Sequence, residues 1–520
     1  MLAAAGWLWY VPRLNRGSYV LSDDLPVLQQ AGSWGHMLKP YNGALSLVSM
    51  LVYRACAEVG HLSYAPFLIA GAVSFVAVPL SYFFTSRRQL GPPVAAILAM
   101  PLLWFNGTDF RPAALNHFLA LFGGILCAAA LNRGRRADGV LAGALLFSLC
   151  SAGGGLVVAG ACLVHNVLVR PPVRRWLAVL VPSALYGLWW LLEAPAATTR
   201  QQVSVSTKVR IVRDLFFAPF RQVGFGSWPL AVVLLAAFLV WGIAQMRQGR
   251  VASANFVAWT LAMIGWPLAL ATSRGAGASS TEFRYAYLSL GFALLAVVPR
   301  RPIAWPDRFA LTNRRWLAVA AVVVLILGGV RALDARSGLQ KYASLFTVEG
   351  QSAKGTMLVL KLGPDVIPDS TPIIFYSRFN PHGTAKEARA LMDLYGSPFH
   401  PSIATVDQDL VDLRAVQVRP SSRRDRPSCQ PLTHSLTVAP TSFEEAGLGE
   451  PTSQLATVEA GPASYHLWST KAFTIDVRRF GDHWVPLAKV PANRGVTLLL
   501  PILNSEEPWG IRANGACITP

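Results

Sequence analysis

Charge is scarce in this sequence, and acidic residues are fewer than basic ones. Only 14% of the 520 residues are charged, whereas about a quarter are charged in an ordinary soluble domain. Hydrophobic residues make up 53% of the chain, and the mean hydropathy is +0.40. This composition excludes an ordinary soluble protein and predicts a polytopic membrane protein with some soluble mass attached.

Several common sequence signals are also missing. Neither CxxC nor HExxH spacing occurs, so we predict no metal site of those types. The run Met1–Val11 has no basic region and no small-residue cleavage site, so we expect no cleavable signal peptide. No low-complexity tract and no obvious repeat are present.

The chain is nevertheless strongly basic. It has 46 Lys and Arg against 27 Asp and Glu, which gives a formal net charge of +19. In a soluble protein such an excess would suggest nucleic acid. Here it lies mostly in short loops between apolar runs, which is a signal of membrane topology. We therefore expect membrane lipids around the chain and no nucleic-acid partner.

Eleven apolar runs are candidate membrane spans. Several are shorter than the ~20 residues that an upright span needs, and Gly153-Gly154-Gly155 splits one long run into a short hairpin. The segment Asn42–Val59 is interpreted as an interfacial helix, because a span there would reverse every later loop. The predicted spans are 2–12, 64–85, 91–105, 114–131, 140–151, 155–169, 176–192, 228–245, 255–272, 284–299 and 316–331.

Arginine and lysine set the predicted orientation. One set of loops carries 15 basic residues in about 44 positions, and the other carries 12 in about 106. The positive-inside rule places the first set in the cytoplasm. The first outer loop (13–63) and the C-terminal region then lie outside a plasma membrane that the chain crosses many times. The cytoplasmic set includes Arg87-Arg88, Arg133, Arg135, Arg136, Arg170, Arg174, Arg175, Arg247, Arg250 and five arginines between 300 and 315.

The chain changes character after Arg331. We predict two domains: 1–331 with the spans, and 332–520 as a compact, mainly β domain outside the cytoplasm. Short β-type runs and one candidate helix support the second domain. The runs are Met357–Leu360, Pro372–Tyr376 and Val496–Leu500, and the helix is Ala385–Tyr395.

Two of the six cysteines, Cys429 and Cys517, lie in this outer region. Outside the cytoplasm they are the natural disulfide pair. Three others lie in apolar runs, where a lone cysteine usually behaves as a small hydrophobic residue. Cys56, in the first loop, has no obvious partner.

Asp23 and Asp24 are adjacent carboxylates just after the first apolar run, at the start of the first outer loop. Two ionised neighbours at a membrane surface are costly to hold together, although Asp is also common at turns and helix caps. Nothing in the sequence separates their roles, and we favour Asp23. The pair is able to hold Mg²⁺ or Mn²⁺, but no further cluster of oxygen ligands accompanies it.

Cations and other polar side chains lie on the same predicted face. Sugar transfer from a lipid phosphate needs a base for the acceptor hydroxyl and cations for the departing phosphate. Arg284 is the main candidate cation, although interfacial anchoring explains it equally well. Arg274 and Arg111 are helpers, and His36, Lys39, Tyr41, Asn42, His117 and Tyr285 are candidate substrate contacts.

Two of these interpretations have strong structural alternatives. A histidine near the end of a span, such as His117, is explained equally well by packing. Lys208, Arg210 and Arg213 are better explained as one face of an amphipathic surface helix whose apolar face includes Ile211, Leu215 and Phe216.

Asp23-Asp24 in the first outer loop, the later Lys39-Pro40-Tyr41-Asn42-Gly43, the many spans and the outer domain together resemble the GT-C glycosyltransferase superfamily, and more narrowly its large, mainly actinobacterial members. The resemblance covers roughly 1–331. It implies a polyprenyl-phosphate sugar as donor and Asp23 or Asp24 as the base. The run Arg284-Tyr285-Ala286-Tyr287 resembles an Arg-Tyr element in which a cation holds the donor phosphate.

The resemblance also includes a departure. Relatives often carry a histidine after Tyr-Asn-Gly, where this sequence has Ala44. Either activity differs here, or His36 takes the place of that histidine.

The sequence therefore predicts an inverting membrane glycosyltransferase. It would move a hexosyl or pentosyl unit from polyprenyl phosphate to a glycan or lipid acceptor of the cell envelope. One alternative is a transporter, which predicts mid-span ionisable residues and paired broken helices; the sequence has almost no mid-span charge and one Gly-rich break. The other is a non-catalytic GT-C-like assembly protein, which Ala44 and the scarcity of acids favour.

Overall fold

A computed structural model of the chain contains two compact units. The helical unit consists of Met1–Leu14, Gln30–Cys56 and Ala65–Tyr342, and the mixed unit of Asn15–Gln29, Ala57–Tyr64 and Ala343–Pro520. The predicted first outer loop is thus shared between them. The structure describes 24–41, 43–104, 114–133, 137–193, 204–273, 283–300, 353–373, 383–421, 436–438, 464–500, 509–519 and the single positions 322, 326 and 351.

Helices account for most of the described residues. In chain order they are α1 (Asp24–Ala31), α2 (Trp34–Met37), α3 (Leu47–Gly60), α4 (Ala65–Leu90), α5 (Pro92–Trp104), α6 (Leu115–Leu131), α7 (Asp138–Leu149), α8 (Gly154–Val169), α9 (Val173–Glu193), α10 (Val205–Val223), α11 (Trp228–Arg247), α12 (Ala254–Ser273), α13 (Phe283–Val297), α14 (353–360), α15 (Ala385–Tyr395) and α16 (Val406–Asp412).

Nine predicted spans coincide with described helices, α4 to α9 and α11 to α13. Four of these, α4, α9, α11 and α12, are long and apolar enough to cross a membrane. The other five are apolar but have 17 residues or fewer, which is shorter than the ~20 of an upright span. The predicted runs 2–12 and 316–331 lie outside the described residues, apart from positions 322 and 326. The total of about eleven spans therefore stays a prediction.

Hydrogen bonds join four of the five arginine-rich loops at one end of the helical unit. Predicted cytoplasmic loops must share one end if the spans alternate, and this grouping agrees with that expectation. Which end faces the cytoplasm stays a prediction. The joining bonds run from Arg175 to the Arg133 carbonyl (2.8 Å), from Arg250 to the Val167 carbonyl (2.5 Å) and from Arg300 to the Val251 carbonyl (3.4 Å).

A buried ion pair strengthens this end. Arg175 Nε donates to Asp138 Oδ1 at 2.9 Å, and the two side chains are only 8% and 3% exposed. A second guanidinium nitrogen of Arg175 donates to the Leu131 carbonyl at 3.2 Å. The pair thus fastens the starts of α7 and α9 to the end of α6. Buried charges inside an apolar bundle are tolerated only when they are paired in this way.

We expect Asp138→Asn to lower the free energy of unfolding by about 3 kcal/mol, because it leaves the Arg175 charge buried without its carboxylate. The matched control is Asp214→Asn, since Asp214 pairs with Arg213 at 2.8 Å on an exposed helix surface. That loss should be below about 1 kcal/mol. Denaturant titration of both variants in mixed micelles measures the difference; equal losses would contradict a special role for the buried pair.

The opposite end of the helical unit holds the turn between α7 and α8. The predicted Gly-rich break is confirmed, because α7 ends at Leu149 and α8 begins at Gly154. A Cβ at Gly155 would overlap the Ser148 carbonyl, so the two helices approach each other closely only with glycine there. The start of α3 is tied to the same turn, because the Val48 N–H donates to the Cys150 carbonyl at 3.0 Å.

Two further helices fall where the sequence predicts them. α3 covers most of the segment interpreted as an interfacial helix and extends one residue beyond it, to Gly60; its location at the membrane surface stays a prediction. α10 is amphipathic: Ile211 and Leu215 are buried, whereas Arg210 and Arg213 are exposed. The structure therefore supports a surface-helix role for these cations.

Ten short strands build the sheets within the described part of the mixed unit. One four-stranded antiparallel sheet has the order β10-β5-β8-β3, a second has the order β4-β9-β6-β7, and β1 pairs with β2. The strands are β1 (Pro372–Ile373), β2 (Gly383–Thr384), β3 (Gln417–Pro420), β4 (Leu436–Val438), β5 (Ser464–Ser469), β6 (Phe473–Arg478), β7 (Val485–Val490), β8 (Arg494–Leu499), β9 (Trp509–Arg512) and β10 (Cys517–Thr519).

A buried carboxylate fixes the turn between β6 and β7. Asp407, in α16, is 3% exposed. Its oxygens accept hydrogen bonds from three successive backbone N–H groups, those of Arg479 (3.1 Å), Phe480 (2.9 Å) and Gly481 (2.5 Å). Three such bonds satisfy a buried carboxylate, so α16 and this turn are held as one piece.

The predictions for 332–520 are confirmed in part. α15 has the predicted bounds, with a capping box of Thr384 and Glu387, and β8 covers most of Val496–Leu500. The strand predicted at Met357–Leu360 is wrong, because these residues are helical and fully buried in α14. A continuous apolar run gives no periodicity that separates a strand from a buried helix. Of Pro372–Tyr376 only Pro372–Ile373 is described.

The cysteines fall into two classes. Cys56, Cys127, Cys150 and Cys162 are free thiols. Cys517 is disulfide-bonded. Cys429, its predicted partner, lies outside the described residues, so the pairing stays a prediction.

Candidate functional site

α1 carries one half of the predicted carboxylate pair. It begins at Asp24, directly after Asp23, which lies outside the described residues. The helix is held by a buried face, since Val27, Leu28 and Ala31 are 7%, 0% and 0% exposed. Leu28 lies one turn after Asp24, so the packing of this face fixes the start of the helix.

The segment after α1 belongs to the helical unit and carries His36, Lys39 and Tyr41. Gln30 Nε2 donates to the carbonyls of His36 (2.9 Å) and Lys39 (2.7 Å), and both of those side chains are exposed. Tyr41 pairs with Ala44 in an isolated antiparallel bridge, and Asn42 lies outside the described residues. The segment is therefore ordered by its backbone and presents His36 and Lys39 to the surroundings.

An aromatic cluster joins the starts of α6 and α13 to α12. Ring centroids of His117 and Tyr285 are 5.5 Å apart, and those of His117 and Trp266 are 5.9 Å apart, both edge to face. Trp266 Nε1 donates to the Tyr285 carbonyl at 2.9 Å. Two predicted substrate contacts, His117 and Tyr285, are thus brought together, although they are far apart in the sequence.

His117 is only 4% exposed. Its Nδ1 lies 2.5 Å from Asn116 Oδ1, and since an amide oxygen only accepts, Nδ1 carries the hydrogen. With two aromatic rings against its edges, the imidazole is part of the packing of these helix ends. This geometry agrees with the packing explanation; a role with substrate stays a proposal.

Arg284 lies at the start of α13, next to the cluster. Its guanidinium carbon is 5.2 Å from the centroid of the Tyr285 ring, a distance at which a cation is attracted to an aromatic face. The buried tyrosine therefore holds a positive charge at this helix end, while Arg284 itself is only half-buried. Arg274 and Arg111, the predicted helpers, lie outside the described residues.

Trp266 is the member of this cluster that the sequence did not indicate. It lies inside the apolar helix α12 and is 4% exposed. The sequence pattern therefore gives it no feature that distinguishes it from an ordinary core residue. Only its indole hydrogen bond to the first turn of α13 distinguishes it, and that contact is not visible in a hydropathy pattern.

The mixed unit has a polar and aromatic sheet face on β5 and β8. His466 lies opposite Thr497, and Trp468 lies opposite Gly495. His466 Nδ1 is 3.1 Å from Thr497 Oγ1 and 3.4 Å from Ser421 Oγ. All five residues are half-buried. We call this group the Trp468 face.

Gly495 shapes the Trp468 face. A Cβ at this position would lie 3.4 Å from both Trp468 Cδ1 and Ser421 Cβ. Glycine therefore leaves a space between Trp468 and Ser421 that a Cβ would fill. Alternate residues of the two strands, Leu467 and Leu498, are fully buried, so the Trp468 face is the one turned away from the sheet's core side.

No group of three or more His, Cys, Asp or Glu side chains suited to a metal ion occurs among the described residues. Asp23 lies outside that part of the chain. The alternative of Mg²⁺ or Mn²⁺ at the carboxylate pair therefore stays open.

Comparison with known proteins gives one distant likeness. No family model and no curated protein matches the chain. A crystal structure of ArnT from Cupriavidus metallidurans bound to undecaprenyl phosphate is similar over 81% of this chain and 92% of that chain, with a TM-score of 0.45 and 16% sequence identity. This likeness is too distant to assign the chain to a family or an activity.

Proposed function

We propose that the chain is a membrane glycosyltransferase of GT-C type that uses a polyprenyl-phosphate sugar. The observation that carries the proposal is the adjacent pair Asp23-Asp24 at the start of a helix in the first loop of an apolar, many-helix chain. A carboxylate there acts as general base, taking the proton of an acceptor hydroxyl. The hydroxyl oxygen then attacks the anomeric carbon from the face opposite the phosphate, with inversion.

Arg284 is the proposed partner of the departing polyprenyl phosphate. The bond between the anomeric carbon and the phosphate oxygen breaks, and negative charge develops on that oxygen. A guanidinium stabilises such charge when its position is fixed beforehand. The contact with the buried Tyr285 ring supports this assignment, because it fixes the cation at a helix end. Arg274, Arg111, His36, Lys39, Tyr41 and Asn42 are proposed as further donor and acceptor contacts.

The Trp468 face is the proposed binding surface for a glycan acceptor. Indole, imidazole and hydroxyl groups are the kinds of group with which proteins bind sugar rings, and here they share one sheet face. Residues 343–520 contain 16 basic and 17 acidic side chains, so this region has no excess positive charge for a polyanion. An uncharged glycan is the acceptor that fits these groups best.

Transfer in membranes tests the proposal against its alternatives. Membranes with the full chain are supplied with radiolabelled polyprenyl-phosphate hexoses and pentoses together with envelope glycan. The proposal predicts label in the glycan from at least one donor. Donor that binds without label transfer would favour a non-catalytic assembly protein, and donor that crosses sealed vesicles unchanged would favour a transporter.

We expect Trp468→Ala to weaken glycan binding about tenfold, because one stacked ring contributes on the order of 1 kcal/mol. The matched control is Trp484→Ala, just before β7 of the other sheet, where Arg478 and Arg512 lie against the indole. Calorimetric titration of each full-chain variant with a soluble envelope oligosaccharide measures the two affinities. Equal binding by wild type and Trp468→Ala would remove the acceptor assignment.

A further inference from the structure

Tyr395 connects three segments of the mixed unit that are distant in sequence. Its hydroxyl donates to the Leu28 carbonyl at 3.1 Å, across a separation of 367 residues. Its own carbonyl lies 3.0 Å from His61 Nδ1. One residue at the end of α15 is therefore bonded both to α1, the helix that begins at Asp24, and to the turn after α3.

The bond to α1 is buried. Tyr395 is 4% exposed and Leu28 is fully buried. A buried hydroxyl and a buried carbonyl are costly to leave without a partner, so the bond favours the packing of α1 against α15 that allows it. It holds α1 at Leu28, one turn after Asp24.

The hydrogen bond from His61 joins two turns whose backbones have positive φ angles. His61 and Leu62 have positive φ angles of 47° and 65°, which cost free energy for residues other than glycine. Gly396 follows Tyr395 with a φ of 83°, and a Cβ there would lie 2.8 Å from His61 Nδ1. Since a carbonyl only accepts, His61 Nδ1 is the donor. The strained turn thus places this imidazole directly on the end of α15.

α15 is a rigid support for these bonds. Its first turn is closed by the capping box of Thr384 and Glu387. Arg389, in its middle, donates to the carbonyls of Leu360 (3.1 Å) and Gly363 (2.9 Å) and pairs with Asp369 at 2.5 Å. A helix held at its start, middle and end transmits little motion to what it supports.

We infer that Tyr395 is a positioning residue for the start of α1, the helix that begins at Asp24, and that His61 holds Tyr395 in place for that task. The inference rests on the proposed role of Asp23 or Asp24 as the base. A general base must lie within hydrogen-bond reach of the proton that it takes, and small displacements of catalytic groups are costly. On this inference the C-terminal region fixes the start of α1, in addition to the acceptor contact proposed for it.

Tyr395→Phe tests the inference, because it removes the hydroxyl and keeps the ring. We expect kcat to fall about 10- to 100-fold. The KM values for donor and acceptor should stay within about twofold of the wild-type values, since Tyr395 is not assigned a substrate contact. The control is Tyr465→Phe, a half-buried tyrosine elsewhere in the same unit, which should retain wild-type kcat. Wild-type kcat in Tyr395→Phe, or a rise in KM that accounts for the whole loss, would overturn the inference.

Two substitutions of His61 test whether its hydrogen bond to the Tyr395 carbonyl is needed. The side-chain amide nitrogen of His61→Asn is able to donate where Nδ1 does, whereas His61→Leu has no donor. We expect His61→Leu to lower kcat in the manner of Tyr395→Phe, and His61→Asn to restore most of it. Equal kcat values in the two variants would show that the bond to Tyr395 has no part in positioning.

Amide hydrogen exchange does not depend on enzymatic activity, so it tests this inference separately from the proposed function. Hydrogen exchange of amides 28–31 should be about five to ten times faster in Tyr395→Phe than in wild type, because α1 opens more often. Unchanged exchange would overturn the inference even if the chain is a transferase. Faster exchange in a chain that transfers no sugar would support the link between α15 and α1 and reject the proposed function.

Discussion

Replacing both first-loop aspartates with asparagine should abolish sugar transfer. Asparagine keeps the size of each side chain but cannot take a proton, and general-base catalysis typically contributes 10²- to 10⁴-fold. In single variants we expect about a 10³-fold loss of kcat for the base and a smaller loss for its neighbour, with Asp23 as the favoured base. Rates of label transfer at saturating donor measure both.

The control for this prediction is Glu58→Gln, which removes an exposed acid from the same loop. It should transfer sugar at the wild-type rate. Donor binding by the double variant should persist, because the base acts on the acceptor hydroxyl. Loss of binding together with turnover would instead indicate that the pair holds the donor, directly or through a divalent cation.

Replacing Arg284 with alanine should lower kcat about 10²-fold, which is the usual cost of removing one fixed group that stabilises charge in a transition state. Arg284→Lys keeps the charge but loses the planar, two-pronged donor set, so we expect an intermediate loss of about tenfold. Steady-state kinetics with a polyprenyl-phosphate donor of each variant in nanodiscs separates these values.

Arg54→Ala is the matched control for Arg284→Ala. Arg54 also lies against an aromatic ring, with its guanidinium carbon 5.5 Å from the centroid of Trp34, but it has no proposed substrate role. Its kcat should stay within about twofold of wild type. If both alanine variants kept wild-type kcat, Arg284 would be an interfacial anchor, as many span-end arginines are.

Long, local patterns in this sequence predicted structure well. Nine apolar runs coincide with helices, four of the five arginine-rich loops are joined at one end of the helical unit, and Thr384 and Glu387 begin α15 as their spacing indicates. Each of these signals depends on residues that are neighbours along the chain, so periodicity, charge and capping suffice to find them.

Contacts between distant segments could not be predicted in this way. Met357–Leu360 has no polar residues to show a period, so a buried helix resembled a strand. Trp266 and Tyr395 resembled ordinary core residues, because their hydrogen bonds to Tyr285 and Leu28 join segments whose proximity only the fold decides. The candidate residues could be named from the sequence, but the residues that hold them in place could not.

The most direct test of the central claim is ³¹P NMR of the purified full chain in nanodiscs with a polyprenyl-phosphate sugar and acceptor glycan. Sugar transfer converts a phosphodiester into a polyprenyl phosphate monoester, which has a distinct resonance. The proposal predicts growth of the monoester signal with wild type and none with the Asp23→Asn, Asp24→Asn double variant. A diester signal that persists with wild type for every hexosyl and pentosyl donor, although the donor binds, would contradict a glycosyltransferase.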